Sequence, residues 1–66
     1  MPSERNIKYA KSELDLAEKL LEKNPDSIKY KERVSWWNAF LGNYEVAEKY
    51  AVTEKAQQFI KTCKTR

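Results

Sequence analysis

The only glycine of this 66-residue chain, Gly42, interrupts a segment that is otherwise rich in aromatic and helix-forming residues. The segment runs from Trp36 to Ala51 and contains both tryptophans and half of the tyrosines. Glycine often ends a helix because it adopts the left-handed backbone conformation without steric cost. We therefore predict that one helix ends near Leu41 and that the next begins at residue 43. So short a corner forces the two helices into an antiparallel hairpin.

Composition predicts a single all-α domain. Ala, Leu, Glu and Lys dominate, and these residues favour helix. One glycine and two prolines are too few for a sheet of short strands joined by turns. The hydrophobic fraction of 41% is enough for a small core. We predict a three-helix bundle with helices over residues 3–23, 25–41 and 43–62, in which the first helix packs across the hairpin.

The first predicted helix has one apolar face, since apolar residues recur at steps of three and four positions. The stripe consists of Ile7, Ala10, Leu14, Ala17 and Leu21, and it is widened by Tyr9, Leu16 and Leu20. Ser3 is the predicted N-cap of this helix. Asn24 is the predicted N-cap of the second, with Pro25 at its first helical position.

The second half of the third predicted helix is apolar on the side opposite to the first half. At about 100° per residue, Tyr44, Ala47 and Tyr50 face away from a set that includes Val52, Phe59 and Ile60. Either the helix passes between two partners, or it bends, or Val52, Phe59 and Ile60 form a self-association surface. We expect the first helix to return and cover Val52 and Phe59.

The predicted core combines residues from all three helices, and Trp37 and Tyr44 are expected to share one interior across the Gly42 corner. Because Trp36 and Trp37 are adjacent, we expect Trp37 to be buried and Trp36 to be partly exposed. The predicted core residues are Leu14, Ala17, Leu21, Val34, Trp37, Leu41, Tyr44, Ala47, Ala51 and Phe59.

Two segments resemble parts of the tetratricopeptide (TPR) repeat family. Residues 20–27 (LLEKNPDS) resemble the end of one repeat, and residues 41–50 (LGNYEVAEKY) resemble the corner within the next. Pro25 and Gly42 are separated as the proline and corner glycine of that family are, and Ser35 stands where a small residue allows close helix contact. The resemblance covers residues 20–51 and implies a TPR-like antiparallel hairpin. Lys31, Asn38 and Glu54 depart from the family pattern.

The chain lacks the residues that most catalytic and metal sites require. Histidine is absent, which removes the commonest general base and most metal sites. Cys63 has no second thiol, and one glycine cannot build a phosphate-binding loop. The pairs Glu18–Glu22 and Glu45–Glu48 would need a second helix to complete a metal site. We predict a non-enzymatic protein without a metal or cofactor.

Two kinds of binding remain, and the first is contact with another protein. Lys29, Arg33 and Trp36 lie along one edge of the second helix, and Trp and Arg commonly anchor interfaces. Alternatively, Trp36 only covers the joint between helices. We predict an adaptor or regulator whose partner is another protein or, through the self-association surface, a second copy.

The second kind is nucleic-acid binding through Lys29, Lys31, Arg33 and the basic tail of Lys61, Lys64 and Arg66. The acids Glu45 and Glu48 argue against a helix-turn-helix, since they would repel phosphate. The net charge of +3 permits an acidic partner without requiring one. No apolar run suggests a signal peptide or a membrane span, and a single cysteine suits a reducing compartment, so we expect a cytoplasmic protein.

Overall fold

The computed structural model describes residues 4–65, and within that range it contains four helices and no strand. They are α1 (Glu4–Lys23), α2 (Ile28–Phe40), α3 (Tyr44–Lys49) and α4 (Glu54–Lys64). The predicted all-α class is confirmed. The prediction of three helices is wrong, because the third is divided into α3 and α4.

The connection between α1 and α2 is capped differently from the prediction. Ser27, not Asn24, is the N-cap of α2, and its hydroxyl oxygen accepts a hydrogen bond from the Tyr30 N–H at 3.3 Å. The Asn24 side chain instead donates to the Leu20 carbonyl at 3.2 Å and so closes the end of α1. The other predicted N-cap, Ser3, lies outside the described residues.

The corner between α2 and α3 depends on Gly42, whose φ angle of +86° is the one positive value among the described residues. The Gly42 N–H donates to the Ala39 carbonyl at 3.1 Å, and the Asn43 N–H donates to the Asn38 carbonyl at 2.8 Å. This pair of bonds is the Schellman motif, which satisfies the last carbonyls of a helix. Asn43 stands at the N-cap of α3, although its side chain makes no capping hydrogen bond. The predicted end of the second helix at Gly42 is confirmed.

The chain between α3 and α4 leaves the helical path over residues 50–53. Thr53 has extended backbone angles, and its hydroxyl oxygen accepts from the Ala56 N–H at 3.2 Å, so it caps a new helix. The same hydroxyl donates to the Glu32 carboxylate on α2. The bend is the nearest of the three alternatives for the opposite apolar faces: the helix is broken over residues 50–53, and α4 packs against α2.

Helix α2 is the central element of the fold. Each of the other three helices contacts it, α3 also contacts α4, and α1 contacts no other described helix. Phe59 packs against Trp36 of α2, and Val52 is 48% exposed, so the expectation that the first helix covers these two residues is wrong. Neighbouring positions of α2 serve different partners: the Trp37 ring meets Tyr9 on α1, Ser35 bonds to α3, and the Trp36 ring meets Phe59 on α4.

The contacts along α4 show which way it runs. Thr53 lies beside Glu32, Phe59 beside Trp36, and Ile60 and Cys63 pack with Ala39. In these pairs the residue numbers increase together along the two helices, so α4 runs parallel to α2. The short loop of residues 24–27 makes α1 antiparallel to α2.

The core is made largely of small residues that allow the helices to approach closely. Its central cluster is Ala39, Ala47, Ile60 and Cys63, against which Tyr44, Ala51 and Phe59 pack. Trp37 packs on the opposite side of α2, with Tyr9 and Phe40, so it does not share an interior with Tyr44 as predicted.

The predicted core is right in part. Three of its residues are buried, namely Ala17, Val34 and Ala47. Seven are only half-buried, namely Leu14, Leu21, Trp37, Leu41, Tyr44, Ala51 and Phe59. The buried residues that the prediction omitted are Ala10, Ser35, Asn38, Ala39, Ala56, Ile60 and Cys63.

Candidate functional site

One side of α2 is left open between α1 and α4. Lys29, Arg33, Trp36 and Phe40 follow one another at steps of four, three and four residues, so they form a line along that side. Lys29 and Arg33 are exposed, and Phe40 is half-buried. The structure thus brings the three predicted binding residues to one surface and adds Phe40 to it.

Trp36 is 39% exposed, and its ring lies against that of Phe59 on α4, with centroids 5.4 Å apart and planes tilted by 33°. The prediction that Trp36 is partly exposed is confirmed. The side chain also covers the joint between α2 and α4, so the two interpretations of this residue do not exclude each other.

A second group of rings continues from this line onto α1. The Tyr9 and Trp37 rings meet edge to face at 5.8 Å and 79°, and the Trp37 and Phe40 rings meet in the same way at 6.1 Å and 77°. Phe40 follows Trp36 by one helical turn. We call these five rings the aromatic band; they form one group of three, Tyr9 with Trp37 and Phe40, and one pair, Trp36 with Phe59.

The α1 side of this surface also carries Leu16, seven residues after Tyr9 and on the same helical face. Tyr9 is 61% exposed and Leu16 is 53% exposed, although both side chains are large and apolar. Both were predicted to lie at the edge of the buried stripe. Each precedes a buried alanine, Ala10 or Ala17, by one residue and so points about 100° away from it. This angular separation is the signal that could have placed them on another face.

The charged residues beside the aromatic band are mostly cations. Lys29 and Arg33 lie on α2, Lys55 precedes Phe59 by one turn of α4, and Arg5 precedes Tyr9 by one turn of α1; all four are exposed. On the wall formed by α1, Glu13 lies between Tyr9 and Leu16 and is half-buried. The electrostatic character of this face is therefore cationic.

Two other grooves differ from this face in chemistry. The groove between α3 and α4 is lined by Lys61 and by Glu48 and Lys64, which form an ion pair with each other. The groove between α1, α2 and the α3–α4 connection contains acids and a cation beside apolar groups. Its lining residues are Glu18, Leu21, Glu22, Pro25, Lys31, Val34 and Tyr50.

The residues expected to bind nucleic acid are not assembled on one surface. Lys31 lies in the groove with Glu18 and Glu22, on the side of α2 away from Arg33. Lys61 and Lys64 line the α3–α4 groove. The last residue of the expected basic tail, Arg66, lies outside the described residues.

The three residues of the expected self-association surface also have different surroundings. Ile60 is 3% exposed and belongs to the central core cluster. Phe59 is half-buried against Trp36, whereas Val52 is 48% exposed in the α3–α4 connection. A second copy would therefore meet Val52 and the edge of Phe59, but not Ile60.

Within residues 4–65 no group of three or more acidic, cysteine or histidine side chains could hold a metal ion. The same part of the chain contains no helix that is both long and apolar enough to cross a membrane. Comparison with known proteins gives no relative: no family model, no characterised protein and no solved structure matches this chain.

Proposed function

We propose that this chain is a non-enzymatic protein-interaction domain that binds its partner through the aromatic band and the cations beside it. The observation that carries the proposal is the partial exposure of Trp36 on a surface that combines aromatic rings from α1, α2 and α4. Apolar surface shared by neighbouring side chains is typical of interaction sites, and Trp, Tyr and Arg are enriched among residues that dominate binding energy.

Two features support a TPR-like assignment for the hairpin of α2 and α3 within this proposal. Gly42 adopts the positive φ that a tight corner between antiparallel helices needs. Ser35 and Ala47 are fully buried where the two helices meet, which allows their backbones to approach closely. Interaction through exposed helical faces is the ordinary use of such stacked hairpins.

Site-specific photo-crosslinking followed by a binding measurement tests the proposed function. A photoreactive amino acid at exposed position 62, on the side of α4 that carries Phe59, should form a discrete adduct with one protein in cells, while the same group at exposed position 57, in the α3–α4 groove, should not. The crosslinked protein is then purified, and its affinity for the unmodified chain is measured by titration calorimetry.

The decisive comparison is between Trp36→Ala and Val52→Ala, since both residues are exposed and apolar. Trp36→Ala should weaken binding about 30-fold or more, the effect of losing roughly 2 kcal/mol at an interface anchor. Val52→Ala should change affinity less than twofold. Circular dichroism must show that Trp36→Ala is folded; if it unfolds the domain, the interface interpretation of that residue is wrong. Arg33→Ala provides an independent test because this side chain is exposed.

A further inference from the structure

The open side of α2 lies between α1 and α4, which make no contact with each other within the described residues. Trp37 points to α1 and Trp36 points to α4, so the two neighbours attach to α2 in directions about 100° apart. Exposed and half-buried side chains of α2 face the space between these two neighbours, namely Lys29, Arg33, Trp36 and Phe40. A single helix laid between them would contact both walls and the side chains that rise from α2.

The lining of this space suits an amphipathic helix. Its floor carries Trp36 and Phe40, and its walls carry Leu16 and Tyr9 on one side and Phe59 on the other. Helices bind such grooves by inserting apolar residues spaced three and four positions apart.

The charge beside the groove selects an acidic occupant. Lys29 and Arg33 border the floor, Lys55 lies on the α4 side and Arg5 on the α1 side. Near these four cations, the α1 wall carries one acid, Glu13. The carboxylate of Glu32 on α2 already accepts a hydrogen bond from the Thr53 hydroxyl. Potentials of opposite sign across an interface speed association and exclude wrong partners.

The arrangement of the rings argues against two other occupants of a cationic and aromatic surface. Single-stranded nucleic acid stacks its bases on open ring faces, but Trp37 and Phe40 are half-buried, and the Trp37 ring meets both Tyr9 and Phe40 edge to face. A membrane surface would need apolar side chains on a protruding face, whereas here they lie between two helices.

We infer that the groove between α1 and α4 binds an acidic amphipathic helix of a partner protein. This inference rests on the proposed function and specifies the partner's chemistry. The partner helix places apolar residues on the aromatic band and carboxylates opposite Lys29, Arg33 and Lys55. Binding therefore combines apolar burial, which is insensitive to salt, with charge pairing at the rim, which salt weakens.

Selection from a phage-displayed library of random 20-residue peptides, with the whole chain as bait, tests the inference. The enriched peptides should have a net negative charge and apolar residues at helical spacing. A synthetic enriched peptide should gain helicity in circular dichroism when it binds. NMR shift changes should concentrate at Tyr9, Arg33 and Trp36, and be small at Gln57.

Charge reversal provides the matched control. Arg33→Glu should weaken binding of the enriched peptide at least tenfold, whereas Lys11→Glu, which makes the same change at an exposed position on the other flank of α1, should alter it less than twofold. Enrichment of basic or extended peptides, or of none, would overturn the inference. So would equal effects of the two reversals.

Three direct measurements cover the alternative occupants. The chain is tested for binding to phosphatidylglycerol vesicles, for binding to single-stranded RNA, and for concentration-dependent dimerisation in sedimentation. Any of these three interactions would overturn the inference if Trp36→Ala abolished that interaction. Failure of the proposed function is distinguishable from these outcomes, because it requires that crosslinking at position 62 captures no protein. A captured partner that lacks an acidic helix would leave the proposed function intact and reject this inference alone.

Discussion

Two polar side chains are buried on the central helix, and each donates to a backbone carbonyl. The Ser35 hydroxyl donates to the Ala47 carbonyl on α3 at 2.7 Å, and the Asn38 amide donates to the Val34 carbonyl one turn earlier at 2.8 Å. No buried side-chain nitrogen or oxygen in the described residues lacks a partner. Burial of these groups is therefore compatible with stability, because an unpaired polar group would cost more than the hydrogen bond contributes.

Ser35→Ala should lower the free energy of unfolding by about 1 kcal/mol, the usual net contribution of one buried hydrogen bond. The loss stays small because the Ala47 carbonyl retains the Tyr50 N–H as a donor at 3.2 Å. Urea denaturation followed by circular dichroism measures the change. Ser12→Ala on the exposed side of α1 is the control and should shift stability by less than about 0.5 kcal/mol. Equal effects of the two substitutions would show that the Ser35 contact contributes nothing.

At the scale of residues, the sequence predicted the exposure of Trp36 but not the burial of Asn38. Adjacent positions on a helix point about 100° apart, so one of two neighbouring tryptophans had to turn outward. Polarity placed Asn38 outside the predicted core. Asn38 is buried because α2 has neighbours on several sides. Its side-chain amide donates a hydrogen bond to the Val34 carbonyl within the same helix. A single sequence does not show how many neighbours a helix has.

The break between α3 and α4 determines the shape of the second half of the chain. Val52 and Thr53 are β-branched, which lowers helix propensity, and Thr53 is also a good N-cap residue. The opposite apolar faces of its two halves indicated that one straight helix could not bury both on a single partner. The position of the break was missed because neither glycine nor proline marks it, in contrast to the corner at Gly42.

Thr53→Ala should destabilise the domain by about 1–2 kcal/mol, because it removes the cap of α4. It also removes the hydrogen bond to Glu32 that ties the start of α4 to α2. Thr53→Ser keeps the hydroxyl and should recover most of the loss. Chemical denaturation compares both variants with Thr62→Ala, which removes an exposed hydroxyl within α4. If alanine at position 53 behaves like alanine at position 62, the cap has no energetic role.

At the scale of the whole fold, residues 4–65 form three helices around α2, and α1 contacts no helix other than α2. The other helices support one another, since α3 and α4 are in mutual contact and both contact α2. The all-α class and the Gly42 corner were predictable from local patterns. The arrangement around α2, and with it the groove between α1 and α4, was not predictable, because it depends on contacts between residues far apart in the sequence.

Native-state hydrogen exchange should show unequal protection among the helices. Amides in α2 should exchange only on global unfolding, because α2 contacts all the other helices. Amides in α1 should exchange through a smaller opening that leaves α2, α3 and α4 folded. Exchange rates measured by NMR over a series of low denaturant concentrations separate the two classes. One common opening free energy for α1 and α2 would contradict this description.

Because Cys63 is buried, its reactivity can serve as a natural probe of local opening. Cys63 is 6% exposed in the cluster that joins α2, α3 and α4, and it is the chain's sole cysteine. The carbonyl of the same residue accepts a hydrogen bond from the Tyr44 hydroxyl at 3.2 Å, which ties the end of α4 to α3. Because this residue is buried, alkylation of the sulfur should become faster when that end of the domain opens. The labelling rate of this one atom therefore reports the opening without any engineered probe.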